Sequence, residues 1–196
     1  MSLYPLKNSK RCLVIAAHPD DEVLGVGGTI AKLSQAGTEV SVLYVTGGKG
    51  GRQMSKESES DDVKREQDIL SIEIQKACNS LGVKKHVSLS FPDNRLDTVS
   101  RMDISLKISE CMSSFNPDVV FTHHPGDYNW DHTIVYDATL MAFRANFGDH
   151  YPDAIFSYEV LSSSERSAQN VNSIFCPNFF GSQNDGFWSA SKSKNW

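Results

Sequence analysis

Residues 11–22 carry the sequence RCLVIAAHPDDE, and this stretch decides the fold. Its first seven residues form a short run of strand length that is apolar from Cys12 to Ala17, which is typical of a strand that is buried on both faces of a sheet. Pro19 then disfavours helix at His18 and fixes the exit of the chain from the strand. A helical pattern follows over 23–35 and ends at Gly37, a residue type that favours helix termination. The stretch therefore predicts a buried strand, a tight polar turn and a helix.

The same order of strand and helix recurs along the chain. Further strand-like runs lie at 38–46, 86–91, 117–123 and 153–161, and helical patterns lie at 61–81, 102–115 and 132–147. Strands that alternate with helices form a parallel sheet with helices on both faces. We therefore predict a Rossmann-like α/β fold with a mostly parallel sheet over residues 8–161. Residues 1–165 are assigned to this domain, and residues 166–196 to an irregular segment without a clear period.

Composition excludes several classes of protein. The 196 residues are 39% hydrophobic and 22% charged, as in an ordinary globular domain, and no apolar run reaches the roughly 18 residues of a transmembrane helix. The net charge of −5 provides no field that would attract a nucleic-acid backbone. Residues 1–11 lack the apolar segment of a secretory signal, and the four cysteines include no C-x-x-C pair. We expect reduced thiols and a cytoplasmic protein.

The first chemically distinctive cluster is HPDDE at residues 18–22, directly after strand one. Ligands of open α/β sheets bind outside the carboxyl ends of the strands, which is where this cluster lies. The imidazole of His18 and the carboxylate of Asp21 can converge on one cation around a tight turn, and this set of ligands suits zinc. The alternative is that Asp20 or Asp21 caps the following helix and that His18 is incidental.

Three glycines in the following helix raise the question of a nucleotide site. Gly25, Gly27 and Gly28 do not have the G-x-G-x-x-G spacing, and acidic residues occupy the position where a pyrophosphate needs bare backbone amides. We therefore exclude dinucleotide binding. The glycines are expected instead to let the helix pack closely on the sheet.

A second polar cluster, HHPGDYNWDH, occupies residues 123–132 between strand four and the last helix. Strands one and four can be neighbours in a right-handed doubly wound sheet, and their loops then flank one crevice. His132 would complete a set of two histidines and one aspartate with His18 and Asp21, with positions left for water and substrate. The alternative for such a histidine is a contact with the backbone or with solvent.

The two clusters together resemble the LmbE-like (PIG-L) family of zinc-dependent N-deacetylases. The similarity includes FPDNRLD at 91–97 and covers roughly residues 8–165. Members remove an acetyl or related acyl group from an amino-sugar nitrogen, and the products are acetate and a free amine. The resemblance implies that His18, Asp21 and His132 bind zinc, with Fe²⁺ as an alternative divalent metal, and that Asp20 is the general base that acts on the zinc-activated water.

The resemblance is incomplete at two places. Many members have a histidine three positions before the last ligand that helps to stabilise the oxyanion, whereas this chain has Asn129. The amide can donate a hydrogen bond but cannot protonate a leaving amine, so the general acid is left open between Asp20 and His124. Residues 176–196 also show no pattern of the strand and helix with which the family usually continues, as in a truncated or atypical C-terminal segment.

Three further residues are assigned supporting roles. Arg52, in the glycine-rich loop after strand two, is either a ligand for a phosphate or sugar hydroxyls or a solvated loop residue. Asp127 either accepts hydrogen bonds from sugar hydroxyls or orients its loop, and Asp131 is expected to support a metal ligand from behind. We thus predict a metal-dependent hydrolase of a small N-acylated sugar, with a homo-oligomer as an open possibility. The alternative is a catalytically impaired binding module of the same fold.

Overall fold

The computed structural model describes residues 6–48, 61–144, 151–161 and 163. Within these ranges the strands are β1 (Arg11–Ala16), β2 (Glu39–Thr46), β3 (Lys85–Phe91), β4 (Val119–His123) and β5 (Ala154–Tyr158). The helices are α1 (Asp21–Gln35), α2 (Asp61–Leu81), α3 (Arg101–Phe115) and α4 (Trp130–Ala142), and short 3₁₀ turns lie at Leu6–Asn8 and Leu96–Thr98. Each predicted strand and helix is therefore present.

The strands form one parallel sheet in the order β3-β2-β1-β4-β5. β1 pairs with β2 on one side and with β4 on the other, so that Val14 lies beside both Val42 and Phe121. The winding of the chain reverses between β1 and β4, and such a reversal opens a crevice at the carboxyl ends of the two strands. The predicted parallel α/β fold and the predicted neighbourhood of strands one and four are confirmed.

Alternate side chains of β1 contribute to two separate cores. Val14 packs in a cluster with Val26 of α1 and Cys78 of α2. Ile15 packs in a second cluster with Ile104 and other residues of α3 and α4. Helices therefore cover both faces of the sheet, which is why the β1 sequence shows no alternation of apolar and polar residues.

Four helix boundaries differ from the sequence prediction. α3 begins one residue earlier than expected, at Arg101, and α4 begins two residues earlier, at Trp130. α1 begins at Asp21 instead of residue 23, since acidic residues are favourable in the first turn of a helix. α4 ends at Ala142 instead of residue 147, and the next residue, Phe143, leaves helical geometry with its side chain buried in the core. The predicted segment 166–196 lies outside the described residues. Within the described ranges, no helix combines the length and the apolar character needed to span a bilayer.

The glycines of α1 differ in how closely they pack. A Cβ added at Gly25 would lie 2.4 Å from Tyr158 Cδ2 and 2.8 Å from the carbonyl oxygen of Glu159, so α1 needs glycine there to approach β5. A Cβ at Gly27 would make ordinary contacts, and one at Gly28 would have nothing within 4 Å. The expectation of close packing is therefore confirmed for Gly25 and wrong for Gly28.

We expect Gly25→Ala to lower the free energy of unfolding by about 1–3 kcal/mol, the usual cost of overpacking a filled site. Gly28→Ala is the matched control in the same helix. It should raise the free energy of unfolding by up to about 1 kcal/mol, because alanine is the better helix former. Urea unfolding followed by circular dichroism measures both values. Equal stability of the two variants would contradict the close approach of α1 to Tyr158.

Candidate active site

A cavity of about 310 Å³ opens at the carboxyl ends of β1 and β4. Its lining joins the turn after β1, the loop after β3 and the start of α4, and it includes residues of both predicted polar clusters. The polar side chains that line it include those of His18, Asp20, Asp21, Asn94, Asn129 and His132. The cavity thus occupies the crevice that the strand order creates.

Three of these side chains converge on one point. Asp21 Oδ2 lies 3.3 Å from His18 Nδ1 and 3.3 Å from His132 Nε2. One potential ligand atom from each residue lies within 4.8 Å of the other two. The turn after β1 provides two of the residues and the first turn of α4 provides the third. The pairing of β1 with β4 therefore joins the two polar clusters that are far apart in sequence.

A buried carboxylate holds each of the two imidazoles from behind. His18 Nε2 lies 3.1 Å from Asp131 Oδ2, and His132 Nδ1 lies 3.1 Å from Asp127 Oδ2. These contacts direct the other ring nitrogens toward Asp21, and among the described residues His132 Nε2 is buried without a hydrogen-bond partner. Histidines that ligate metals usually have such a carboxylate or carbonyl on the second ring nitrogen. The three converging residues therefore fit a divalent metal ion.

The carboxylates of the site favour positive charge between them. Burial opposes protonation of His18, but hydrogen bonds with Asp131 and Asp21 outweigh it and raise the pKa of His18 to about 10. Burial also opposes protonation of His132, but its hydrogen bonds with Asp127 and Asp21 outweigh this effect and raise its pKa to about 9. Burial favours the neutral form of Asp21, but the surrounding histidines hold the pKa of that carboxyl well below its usual range. Protons on the imidazoles or a divalent cation can supply the positive charge.

Asp20 lines the same cavity but is not one of the three converging residues. It occupies the N-cap position of α1 with a φ of 122°, yet its side chain makes no capping hydrogen bond. Asp21 is the first residue within the helix, and its Oδ2 accepts a hydrogen bond from the His18 N–H at 2.8 Å. Asp20 is thus the N-cap by position, but its side chain does not cap α1, and the Asp21 side chain is bonded to the preceding turn instead. Burial and the neighbouring Asp21 raise the pKa of Asp20 to about 6, which suits a general base.

Asn129 and Asp131 begin α4 together. Asn129 is the N-cap, and its Oδ1 accepts a hydrogen bond from the Asp131 N–H at 2.9 Å. Because capping occupies the oxygen, the side-chain NH₂ is the group that can donate into the cavity. Asp131 is fully buried, and its carboxylate also accepts hydrogen bonds from the backbone N–H groups of Asn94 and Leu96 at 2.8 and 3.1 Å. It lies where a residue that supports His18 is expected.

Two other residues named from the sequence, Asp127 and His124, are absent from the cavity lining among the described residues. The side chain of Asp127 is 0% exposed and accepts a hydrogen bond from the Asn129 N–H at 2.8 Å in addition to its contact with His132. These contacts favour the second of the two alternatives for Asp127, in which it orients its own loop, and they add a contact that orients His132. His124 is 9% exposed and does not line the cavity. Arg52 lies outside the described residues.

His123 is a residue of the site that sequence analysis missed. It ends β4, is completely buried and stacks on His132 with ring centroids 4.0 Å apart. Its Nε2 accepts a hydrogen bond from the Ala17 N–H at 2.8 Å. Burial lowers the pKa of His123 to about 3, so it packs as a neutral ring. Its place at the end of a buried strand that leads into the second polar cluster was the signal that could have found it.

Comparison with known proteins places the chain in a family. Residues 13–143 match the family model described as PIG-L: GlcNAc-PI de-N-acetylase. A 1D-myo-inositol 2-acetamido-2-deoxy-alpha-D-glucopyranoside deacetylase from Kineococcus radiotolerans is 29% identical over 175 residues, which cover 76% of this chain and 48% of that protein. The chain thus spans about half the length of that relative.

Two further similar proteins are matched over a larger share of their own length. An uncharacterized deacetylase of Escherichia coli K12, YaiS, is 30% identical over 142 residues, which cover 69% of each chain. The solved structure of N,N'-diacetylchitobiose deacetylase from Pyrococcus horikoshii gives a TM-score of 0.65 at 26% identity, over 89% of this chain and 74% of that one. Fold and site together define an α/β protein with two histidines and one aspartate grouped at its topological switch point. The chain belongs to the PIG-L (LmbE-like) family.

Proposed function

We propose that this protein is a metal-dependent amide hydrolase that removes the acetyl group from the amino nitrogen of an N-acetylated sugar. The observation that carries the proposal is the convergence of His18, Asp21 and His132 in the cavity, with Asp20 beside them and outside the group. The names of two relatives support the substrate class, since they describe deacetylases of a 2-acetamido glucopyranoside and of diacetylchitobiose.

His18, Asp21 and His132 would hold the metal ion. Two imidazoles and one carboxylate favour zinc over magnesium, which prefers oxygen ligands, and Fe²⁺ is the alternative. When bound, such an ion lowers the pKa of water and polarises the acyl carbonyl. Asp127 and Asp131 orient the two imidazoles and strengthen them as ligands.

Asp20 performs the proton transfers in this proposal. Its carboxylate accepts a proton from the water that adds to the acyl carbon, and it delivers that proton to the sugar nitrogen as the carbon–nitrogen bond breaks. One water is consumed, and acetic acid, which ionises to acetate, leaves with the free amine. The Asn129 amide donates a hydrogen bond to the oxyanion, a contact worth roughly 3 kcal/mol in the transition state. Asp20 carries out both transfers because His124 does not line the cavity.

We also propose a cytoplasmic location and a small N-acylated sugar as the substrate. The cysteines of the described ranges, Cys12, Cys78 and Cys111, are free thiols, which favours a reducing compartment. A sugar contact by Arg52 and the formation of a homo-oligomer stay predictions from the sequence.

The test is a screen of the full chain, loaded with Zn²⁺ or Fe²⁺, against N-acetylated sugars that are free, inositol-linked, nucleotide-linked or lipid-linked. We expect at least one of them to yield acetate and primary amine in equal amounts, measured by an enzyme-coupled acetate assay and by a fluorogenic amine reagent. A chelator should abolish the signal, and added metal should restore it. Sugar binding in a calorimeter without any release would contradict the hydrolase and support the binding-module alternative.

A further inference from the structure

We infer that Glu22, held by Tyr44, is a positioning residue that keeps the general base Asp20 in its working conformation. This inference rests on the proposed function, because it concerns the residue that would carry the proton. Neither Glu22 nor Tyr44 lines the cavity, so both would act through Asp20 and not on the substrate.

The backbone of Asp20 is held at both ends. Its φ of 122° lies in the left-handed region that favours glycine, so a non-glycine residue stays there only where its surroundings enforce it. The Asp20 carbonyl accepts hydrogen bonds from the N–H groups of Val23 and Leu24 at 3.0 and 2.9 Å. The Asp20 N–H donates to Glu22 Oε2 at 3.1 Å. Loss of the Glu22 carboxylate would remove the anchor on the N–H side and let φ relax.

Glu22 is in turn fixed from the sheet. Glu22 is only 2% exposed, and its Oε1 accepts a hydrogen bond from the Tyr44 hydroxyl at 2.7 Å. Tyr44 lies on β2 and is 0% exposed, and its hydroxyl also lies 3.6 Å from Cys78 Sγ of α2. The two carboxylate oxygens therefore join the central sheet to the backbone of the base.

A role in packing alone does not account for this arrangement. A buried carboxylate is costly unless it is hydrogen-bonded, and an apolar side chain would fill the same space at lower cost. Each carboxylate oxygen of Glu22 accepts one hydrogen bond, and one of the two donors is the backbone N–H of Asp20, the residue whose position the reaction depends on. A displacement of about 1 Å in a catalytic group can lower a rate by about 100-fold, so this anchor matters for the reaction.

Two variants remove the anchor in different ways. Glu22→Gln keeps the size of the side chain but leaves only one acceptor oxygen for the two donors, and Tyr44→Phe removes the hydroxyl that orients the carboxylate. We expect kcat to fall by about 10- to 100-fold in each, with KM and the affinity for Zn²⁺ unchanged. In an Asp20→Asn background, Glu22→Gln should cause no further loss. Wild-type kcat in both variants, or an equal loss in the Asp20→Asn background, would overturn the inference.

Cys78→Ala is the matched control. It removes the buried thiol that contacts the Tyr44 hydroxyl and leaves both Glu22 hydrogen bonds in place. It should lower stability with kcat unchanged. If Glu22→Gln and Tyr44→Phe both failed to fold while Cys78→Ala folded, the role of Glu22 would be structural and the inference would be overturned.

A readout that needs no turnover separates this inference from the proposed function. The Asp20 amide proton, bonded to a carboxylate, should resonate downfield in the NMR spectrum and move upfield in Glu22→Gln and Tyr44→Phe. Absence of hydrolysis by the wild type would contradict the proposed function, whatever the position of this resonance. An active wild type whose variants show the shifted resonance and unchanged kcat would overturn the positioning role alone.

Discussion

Asp20→Asn is expected to lower kcat for amide hydrolysis by about 10²- to 10⁴-fold, the usual contribution of a general base. Asparagine has the shape of aspartate and tolerates a positive φ, so the turn at 122° is kept while the proton acceptor is lost. The three residues of the metal group are untouched. Metal content, measured by atomic absorption, and KM, measured from initial rates, should therefore match those of the wild type.

The control for this change is Asp103→Asn. Asp103 is an exposed aspartate in the first turn of α3 and does not line the cavity. Its replacement by asparagine should leave kcat unchanged. A metal-replete Asp20→Asn protein with the kcat of the wild type would show that another group takes the proton.

His132→Ala should lower the affinity for Zn²⁺ by more than about 100-fold. Loss of a carboxylate that only supports a ligand already costs about 10- to 100-fold, and loss of the ligand itself costs more. The change also removes the imidazole that lies between the carboxylates of Asp21 and Asp127, so that their negative charges repel each other. Competition with a fluorescent zinc chelator measures the affinity, and the loss of amide hydrolysis should follow it.

Two further variants bracket the effect of His132→Ala. His86→Ala removes a half-buried histidine of β3 that is outside the ligand group, and it should leave zinc affinity unchanged. Asp127→Asn should fall between it and His132→Ala, with a loss of about 10- to 100-fold, because the ligand stays but its orientation is weakened. Unchanged zinc affinity in His132→Ala would show that His132 is not a ligand.

The arrangement of elements was predictable because it depends on short-range patterns. The apolar run at residues 11–17 has the length of a strand, and the patterns after it alternate between strand and helix. His18 and Asp21 could be grouped because one turn joins them. His132 could be added only by assuming that strands one and four are neighbours, which the sheet order confirms.

The partners of the site residues could not be predicted in the same way. Asp127 has the sequence position of a loop residue that meets substrate, yet its side chain is buried behind His132. His123 and His124 are adjacent and chemically alike, but His123 is the one whose ring stacks on His132. Which of two neighbouring side chains points into a site depends on the direction of the last residue of β4, and hydrophobic periodicity does not specify it.

The amino-acid sequence by itself determined the order of strands and helices, the parallel sheet, and the edge of the sheet where histidines and aspartates accumulate. These properties follow from local conformational preference and from the burial of periodic apolar side chains, which act over a few neighbouring residues. The tertiary structure alone decided which carboxylate supports which imidazole, that α1 approaches β5 at Gly25, and that Glu22 reaches both Tyr44 and the Asp20 N–H. Contacts of this kind depend on distances of a few ångströms between separate elements, and only the packing of the whole domain sets those distances.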